Sequence, residues 1–173
     1  MDFQILYFLN SLHTPLFDKL AVFVTNLGSG GIFWILITVL LIMFKRTRYI
    51  GMCSAIALIL SLLFCNIVLK NLIARPRPCW IDESIPLLVS RPADYSFPSG
   101  HTSSSFASAV SIFLHHRIYG IMLIAVAAMI SFTRLYLFVH FPSDVLCGAL
   151  LGILLAYSAK FITEKIYKKY CKN

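Results

Sequence analysis

Two of the five histidines, His101 and His140, lie in short polar motifs between apolar runs. Asp144 follows His140 by four residues, and Pro142 suits the first position of a helix. This spacing predicts that Asp144 lies in the first helical turn, where its carboxylate can reach back toward the imidazole. A carboxylate on one ring nitrogen fixes the tautomer and leaves the other nitrogen as a base or nucleophile. The alternative is a helix-capping aspartate beside an interfacial histidine.

Five cations lie at the ends of apolar runs or in the loops beside them, where ionisable residues are functional candidates: Lys70, Arg75, Arg77, Arg91 and Arg134. Lys70 and Arg77 are seven residues apart, which returns to nearly the same face of a helix. Arg75 lies on another face in that idealised geometry. The prolines on both sides of Arg77 should turn the chain into a loop, so its direction is approximate. The alternative is that these cations extend from span ends toward water.

The segment PSGH, residues 98–101, predicts a turn that leads into a helix. Free backbone N–H groups at a helix start, with the positive end of the helix dipole behind them, can bind an anion. Ser99 and Gly100 lie at this start, and His101 would stand at the mouth of the site. A lone histidine there is otherwise a cap or a surface group. The small residues that follow predict a packing face: Ser103, Ser104, Ala107, Ser108 and Ser111.

These motifs belong to a chain of 173 residues that is 59% hydrophobic and 13% charged, whereas an average soluble domain is about 25% charged. The composition predicts a membrane protein, because a large soluble core would need polar outer faces that the apolar runs lack. The uncharged runs are residues 31–44, 50–69, 102–114, 118–133 and 145–159. Only residues 50–69 exceed the roughly 18 residues of a clear spanning helix. The other runs can cross the membrane only if their helices include flanking residues.

The N-terminal segment predicts two further elements. Residues 3–12 are expected to form an interfacial amphipathic helix, followed by a short first span over about residues 15–27. The expected fold is therefore all-α, a single integral membrane domain over residues 1–173 with about six transmembrane helices. The loop between the first two motifs would then form part of an extracytoplasmic site.

Basic residues cluster in three segments, which the positive-inside rule assigns to the cytoplasm. These residues are Lys45, Arg46 and Arg48; Arg117; and Lys160, Lys165, Lys168, Lys169 and Lys172. Two predicted spans separate each cluster from the next, so all three motifs face the extracytoplasmic side of the cell membrane and both termini lie inside. The net charge of +8 comes mostly from the inner face and would favour anionic lipid rather than nucleic acid.

Together the motifs supply two histidines, one carboxylate, three cations and a helix start, which is what phosphoryl transfer through a phosphohistidine requires. They closely resemble the signature of the type 2 phosphatidic acid phosphatase superfamily: K-x6-R-P, P-S-G-H and S-R-x5-H-x3-D. The matching positions are Lys70, Arg77 and Pro78, then Pro98 to His101, then Thr133, Arg134, His140 and Asp144. Thr133 replaces the signature serine and keeps its hydroxyl group.

The resemblance implies a role for each matching residue. His140 would attack phosphorus with help from Asp144, and His101 would protonate the leaving oxygen. The phosphate oxygens would be held by Lys70, Arg77, Ser99, Gly100 and Arg134. Water would then hydrolyse the phosphohistidine, and neither a metal nor another cofactor is needed. By signature spacing Arg77, rather than Arg75, takes the family's arginine role.

A site at a membrane edge implies a phosphorylated lipid as substrate. Small bacterial members of the superfamily act on undecaprenyl pyrophosphate, phosphatidylglycerol phosphate, phosphatidic acid or diacylglycerol pyrophosphate, and we expect undecaprenyl pyrophosphate here. Three alternatives stay open: a lipid phosphotransferase, an anion-binding transporter or channel, and a zinc hydrolase with His101, His140 and Asp144 as ligands. Transport gives no role to the His140 and Asp144 pair, and three nearby cations disfavour a dication.

Other residues are left without an assigned role. The charges Asp82, Glu83, Arg91 and Asp94 either help to select a head group or are solvated loop charges. Gly148 and Gly152 form a small-residue pair that packs helices within one chain or between two, so a homodimer is open. The cysteines show neither zinc spacing nor a disulfide framework and are expected to be apolar packing residues: Cys53, Cys65, Cys79, Cys147 and Cys171.

Overall fold

The computed structural model describes residues 2–170, and side chains up to Lys169. This part of the chain folds into nine α-helices: α1 Asp2–Ser11, α2 Pro15–Gly28, α3 Ile32–Met43, α4 Arg48–Ser61, α5 Lys70–Ile73, α6 Pro78–Ile81, α7 Gly100–Phe113, α8 Arg117–Tyr136 and α9 Pro142–Tyr170. No β-strand occurs between residues 2 and 170, and the all-α prediction is confirmed. Cys171, expected to be an apolar packing residue, and Lys172 of the C-terminal basic cluster lie outside the described residues.

Helix α7 is the centre of the bundle and packs against α9, α8 and α4. Its serines form hydrogen bonds across these contacts, Ser103 with Ser61 and Ser108 with Ser54, each at 2.8 Å. Buried alanines bring the helices close together: Ala57, Ala107 and Ala159. The predicted small-residue face of α7 is therefore its packing face. Small side chains let helices approach closely where no hydrophobic effect drives them together.

Gly148 and Gly152 lie on the face of α9 that presses on α7. A Cβ atom on Gly148 would lie 2.8 Å from the carbonyl oxygen of Ser99, and one on Gly152 would lie 2.5 Å from that of Ser103. The helix backbones therefore approach too closely to admit a side chain at either position. Of the two alternatives left open by the sequence, the structure shows packing within one chain.

The outward faces of the bundle are strongly apolar. Large side chains there are between 65% and 76% exposed: Leu16, Phe23, Met43, Leu72 and Ile118. Within residues 2–170, four helical segments are long and apolar enough to cross a membrane: Pro15–Met43, Arg48–Ile81, Arg117–Tyr136 and Pro142–Lys169. Apolar side chains outside and hydroxyl side chains inside are the distribution expected of a helical bundle in lipid. The chain is therefore a polytopic membrane protein.

The number of spans stays a prediction. The segment Pro15–Met43 is divided into α2 and α3 at Gly30 and Gly31, whose φ angles of +60° and +68° interrupt the helix. Helix α7 has 14 residues, fewer than the roughly 20 that cross a hydrocarbon core. The six expected spans correspond to α2, α3, α4 with α5, α7, α8 and α9.

Helix α4 continues through the π-helical segment Leu62–Leu69 into α5, which begins at Lys70. Single π turns are frequent at functional sites, and this longer segment carries Asn66 and delivers Lys70 to the end of the bundle. Ala74, with a φ of 47°, ends α5. Arg77 therefore follows in extended backbone, and the idealised helix-face relation between Lys70 and Arg77 does not apply.

Helix α1 covers the motif end of the bundle, in contact with α8 and α9. Its Phe3 ring lies 5.2 Å from that of Phe141 and 6.3 Å from that of Phe138, which flank His140. The predicted N-terminal helix is thus present, and its aromatic face packs on the loop that carries a site histidine. Leu6 and Leu9 are also buried, so α1 is part of the fold.

Candidate active site

A pocket of about 240 Å³ lies at the motif end of the bundle. Five of the predicted site residues line it: Lys70, Arg77, His101, Arg134 and His140. The end of α2 contributes Thr25, Asn26 and Ser29. Residues from all three motifs therefore meet at one place, although long stretches of chain separate them.

His140 and Asp144 form a buried pair beside the pocket. Nδ1 of His140 lies 3.6 Å from Oδ2 of Asp144, slightly longer than a hydrogen bond. The same carboxylate oxygen accepts hydrogen bonds from the Phe141 N–H, at 2.8 Å, and from the Ser96 hydroxyl. The predicted position of Asp144 in the first turn of α9 is confirmed. Because the carboxylate faces Nδ1, the other ring nitrogen, Nε2, lies toward Arg77.

Arg75 holds the other oxygen of the same carboxylate. Its Nη1 donates to Oδ1 of Asp144 and to the Ser143 hydroxyl, both at 2.7 Å. Its Nη2 donates to Asp2 at 3.2 Å, and its guanidinium lies 4.1 Å from the centre of the Phe141 ring. Idealised helix geometry places Arg75 on another face from Lys70 and Arg77, and no local pattern signals a contact between residues 69 positions apart. Arg75 orients Asp144 from behind.

The loop between α8 and α9 is held by the site cations. The N–H groups of Val139 and His140 both contact the Arg134 carbonyl oxygen, at 3.2 and 3.3 Å. Nη1 of Arg77 donates to the Val139 carbonyl oxygen at 2.7 Å. Phe138 has a left-handed φ of 59°, which turns the chain sharply ahead of His140. Arg134, through its backbone, and Arg77, through its side chain, thus fix the position of His140. Both side chains also give the pocket positive charge.

The surroundings of His140 favour a neutral imidazole. Burial lowers the pKa of His140 most, Asp144 partly offsets this, and the positive charges of Arg77 and Arg134 lower the pKa further. The side chain is only 1% exposed. With Nδ1 toward a carboxylate, a neutral ring keeps a lone pair on Nε2, which is what a nucleophile needs.

The three predicted cations are buried, and part of their hydrogen-bonding capacity is unused. Arg134 donates from Nη1 to the Thr25 hydroxyl at 2.6 Å, a partner that the sequence did not signal. Arg134 Nε and His101 Nε2 are buried without a hydrogen-bond partner in residues 2–170. An unsatisfied buried polar group costs about 1–3 kcal/mol. An oxyanion in this pocket could accept from both donors if His101 is protonated.

His101 is the second residue of α7, and its ring lies against the end of α2. A Cβ atom on Gly28 would lie 2.8 Å from the imidazole, so glycine makes room for the ring there. Gly100 lies under Asn66, whose side-chain oxygen would be 2.4 Å from a Cβ atom on that glycine. Asn66 therefore belongs to this end of the bundle, and the sequence did not single it out.

Ser99 is one of three predicted site residues that do not line the pocket, together with Gly100 and Asp144. It is fully buried, and its hydroxyl accepts a hydrogen bond from Thr102 at 3.0 Å. Its N–H donates to the carbonyl oxygen of Asp144 at 3.1 Å, which ties the start of α7 to α9. The assignment of Ser99 and Gly100 as phosphate ligands stays a prediction.

The loop charges left without a role divide into two groups. Glu83 and Arg91 form an exposed ion pair at 2.8 Å, and Asp82 accepts a hydrogen bond from the Tyr7 hydroxyl at 2.8 Å. These three behave as surface groups. Asp94 instead contacts the cations of the pocket.

A second and larger cavity, of about 550 Å³, adjoins the pocket. The two share Lys70, Asp94 and His101. From there the larger cavity extends between α3, α4 and the start of α7. Its far part is lined mainly by apolar side chains: Ile35, Val39, Ile42, Leu58, Ile59 and Leu62. A polar pocket thus opens into an apolar channel along the membrane-facing helices.

The zinc alternative would require His101, His140 and Asp144 to act together as ligands. Within residues 2–170, no group of three or more histidine, cysteine, aspartate or glutamate side chains is arranged to hold a metal ion. The cysteines resemble packing residues, since Cys53, Cys65 and Cys79 are buried and all three are free. The independence from metal stays a prediction.

Fold and pocket together define a class: polytopic helical membrane proteins with a histidine and carboxylate pair among buried cations at one end of the bundle. The PAP2 superfamily profile matches residues 48–168. The chain therefore belongs to the PAP2 superfamily, and the resemblance that the three motifs carry is confirmed.

Known relatives extend this result beyond the motifs. The undecaprenyl-diphosphatase of Sulfolobus acidocaldarius is 36% identical over 81% of this chain and 68% of its own length. The crystal structure of Aquifex aeolicus LpxE has a TM-score of 0.80 and 29% identity, and the match covers 91% of this chain and 93% of that one. A PAP2-type phosphatidylglycerolphosphate phosphatase from Bacillus subtilis gives a TM-score of 0.77 and 27% identity, over 95% and 85% of the two chains.

Proposed function

We propose that this protein is a membrane-embedded lipid phosphatase that transfers the terminal phosphoryl group of a lipid phosphate or pyrophosphate to water through His140. The observation that carries this proposal is the meeting of a neutral, carboxylate-oriented imidazole with three buried cations in one pocket. That pocket opens into an apolar channel suited to a lipid tail. Two of the named relatives, a diphosphatase and a phosphatase, support the same chemistry.

In the first step, the Nε2 lone pair of His140 attacks phosphorus and forms a P–N bond. The bond between phosphorus and the lipid oxygen breaks, and His101 gives its proton to that oxygen. Asp144 stabilises the positive charge that develops on the attacking imidazole. Lys70, Arg77 and Arg134 neutralise the negative charge on the phosphoryl oxygens. The products are the dephosphorylated lipid and a phosphohistidine.

In the second step, water attacks the phosphohistidine and the P–N bond breaks. His101, which lost its proton in the first step, now accepts one from the water. Inorganic phosphate leaves and His140 is again neutral, so both histidines return to their starting states. All positive charge in this scheme comes from side chains, which is why no metal is required.

Undecaprenyl pyrophosphate is the substrate that we propose. A long isoprenoid tail suits the apolar lining of the larger cavity, and the relative from Sulfolobus acidocaldarius is named for this diphosphate. The alternative is a phospholipid monoester such as phosphatidylglycerol phosphate, for which the Bacillus subtilis relative is named, or phosphatidic acid. The chemistry at phosphorus is the same in each case.

Phosphate release from a panel of lipid phosphates, with chelator present, tests both the reaction and the substrate. We expect release from undecaprenyl pyrophosphate to be fastest, and His140→Ala to abolish release while the protein still unfolds at its usual temperature. Full activity of His140→Ala would contradict the mechanism. Transfer of phosphate to another lipid without free phosphate would identify a phosphotransferase instead.

We further infer that the pocket faces the extracytoplasmic side of the cell membrane, with the C-terminal helix ending in the cytoplasm. The basic clusters support this orientation under the positive-inside rule. In a cysteine-free variant, a single cysteine at Glu83 should react with a membrane-impermeant maleimide in intact cells, whereas one at Lys45 should not. The reverse pattern would invert the topology.

A further inference from the structure

Asp94 occupies the cations that the proposed mechanism assigns to the phosphate. Its Oδ2 contacts the Lys70 ammonium, and its Oδ1 accepts a hydrogen bond from Arg77 Nη2 at 2.7 Å. Its backbone carbonyl oxygen accepts from Arg77 Nε, also at 2.7 Å. A carboxylate from the loop before α7 therefore binds the same two side chains that a phosphoryl group would need.

Arg77 in turn covers the nucleophilic nitrogen. Its Nη1 donates to the Val139 carbonyl oxygen and lies 3.1 Å from Nε2 of His140. A guanidinium has five N–H donors, and these contacts engage four of them. While Asp94 is in place, Arg77 therefore cannot form a bidentate pair of hydrogen bonds with a phosphoryl group. The Nε2 lone pair is also directed at an N–H instead of at a phosphorus atom.

Asp94 stands where the two cavities join, and it lines both of them. Its side chain is 55% exposed, whereas the side chains of Lys70 and Arg77 are 8% and 3% exposed. The carboxylate can thus be reached and displaced from the open side, while the cations remain in the protein.

Asp94 also stays charged throughout the physiological pH range. Partial burial by itself would raise the pKa of this carboxyl group, but Lys70 and Arg77 outweigh it and lower the pKa to about 2. The cations therefore always hold an anion in the ligand-free protein.

We propose that Asp94 is a specificity-determining residue: a resident anion that only a more highly charged phosphoryl group displaces from Lys70 and Arg77. This inference rests on the proposed function and adds a selection step to it. Displacement draws Arg77 onto the phosphoryl oxygens and uncovers Nε2 of His140. Binding of a highly charged phosphoryl group and exposure of the His140 Nε2 atom thus occur together.

The selection has a physical purpose at a membrane edge. Most phospholipid head groups are phosphodiesters with a single phosphate charge, and they surround this protein in great excess. A diester carries no more charge than a carboxylate, so it gains little by replacing one that is already in place. A terminal phosphate, in a monoester or a diphosphate, approaches two charges and displaces it. Asp94 therefore keeps the pocket free of ordinary bilayer lipid.

Asp94→Asn in the purified full-length protein tests this inference. The amide keeps the size of the side chain and removes its charge. Added anions should therefore compete more easily with this side chain for Lys70 and Arg77. We expect inorganic phosphate to inhibit Asp94→Asn about tenfold more tightly, the scale of a hydrogen bond to a charged group. Phosphatidylglycerol added to the micelles should become a competitive inhibitor of the variant but not of the wild type.

Glu83→Gln is the matched control, because Glu83 lies in the same loop and forms its ion pair with the exposed Arg91. It should leave both inhibitions unchanged, and Asp94→Glu should restore the wild-type pattern. Unchanged inhibition of Asp94→Asn by phosphate and by phosphatidylglycerol would overturn the inference while leaving the phosphatase assignment intact.

A binding measurement keeps the inference testable if Asp94→Asn has no activity. Calorimetry with inorganic phosphate would compare His140→Ala with the double variant His140→Ala, Asp94→Asn. We expect about tenfold tighter binding to the double variant. Equal or weaker binding would refute the role of Asp94. Wild-type protein that binds phosphate in this assay but releases none from any lipid phosphate would refute the proposed function instead.

Discussion

Single residues around Asp144 show how the site orients His140, the proposed nucleophile. Every close contact to this carboxylate is a donor: Arg75, Ser96, the Phe141 N–H and the His140 ring. Such surrounding contacts hold a carboxylate in one orientation, and that orientation sets which ring nitrogen of His140 carries the proton. The orientation of His140 therefore depends on Arg75, Ser96 and the Phe141 N–H, none of which lines the pocket.

Arg75→Gln should lower kcat about tenfold and leave KM nearly unchanged, because Arg75 orients Asp144 but does not line the pocket. Steady-state phosphate release with the preferred lipid measures both constants. Arg91→Gln removes the same charge from the loop between α6 and α7 and serves as control, with no change expected in kcat. A rise in KM alone would show that Arg75 binds substrate directly.

The rate should depend on pH through both histidines. His140 must be neutral to attack, and its pKa lies below the ordinary 6.5 because of burial and the nearby arginines. The acid limb of kcat/KM should therefore fall below pH 6.5, and loss of the His101 proton should appear as the alkaline limb of kcat, which reports the complex with the phosphate anion bound. An acid limb at or above pH 6.5 would contradict this environment for His140.

The same lowered pKa of His140 makes the stability of the folded protein depend on pH. Between its folded and unfolded pKa values, His140 binds fewer protons in the folded state, so stability rises with pH there and is lost as pH falls. Unfolding temperatures recorded over the same pH range separate this effect from the loss of catalysis.

At the scale of helices, α7 is the element on which the site depends. It carries His101, and its backbone is fixed by α9 through Gly148 and Gly152. Helix α9 carries Asp144, and the N–H of Ser99 donates to the Asp144 carbonyl oxygen. Close packing of these two helices therefore sets the distance between His101 and Asp144.

Gly152→Ala should destabilise the protein by about 2 kcal/mol, because its Cβ atom would lie 2.5 Å from the Ser103 carbonyl oxygen. Thermal unfolding in detergent measures the change. Leu150→Ala is the control on the lipid-facing side of the same helix, where the side chain is 54% exposed, and we expect a shift within about 0.5 kcal/mol. Equal shifts for both variants would mean that α9 does not press on α7 as the structure shows.

At the scale of the whole molecule, the apolar channel links the pocket to the bilayer. It begins at Lys70 and His101 and continues between α3 and α4, whose outer surfaces are lipid-facing. A lipid can thus place its phosphate among the cations while its tail remains in apolar surroundings. Substrate selection is then divided between the charge at one end and the tail at the other.

Val39→Trp should raise KM for a long-tailed lipid phosphate about tenfold, because the larger side chain fills part of the channel. A short-chain, soluble phosphate ester should be hydrolysed as before. Leu40→Trp, at the neighbouring exposed position on α3, is the control and should change neither constant. An increase in KM for the soluble ester as well would place the defect at the phosphate pocket.

The sequence by itself determined the membrane class, the helical fold and the three motifs, because these depend on composition and on spacings within a few residues. The placement of Asp144 one helical turn after His140 is such a local property. Local spacing could not reveal Arg75 behind Asp144, or Thr25 beside Arg134, which are 69 and 109 positions apart. Nor could it show that Ser99 faces α9, or that Asp94 lies on Lys70 and Arg77. Those contacts depend on how the helices pack and where the loop before α7 returns, and only the tertiary structure decides them.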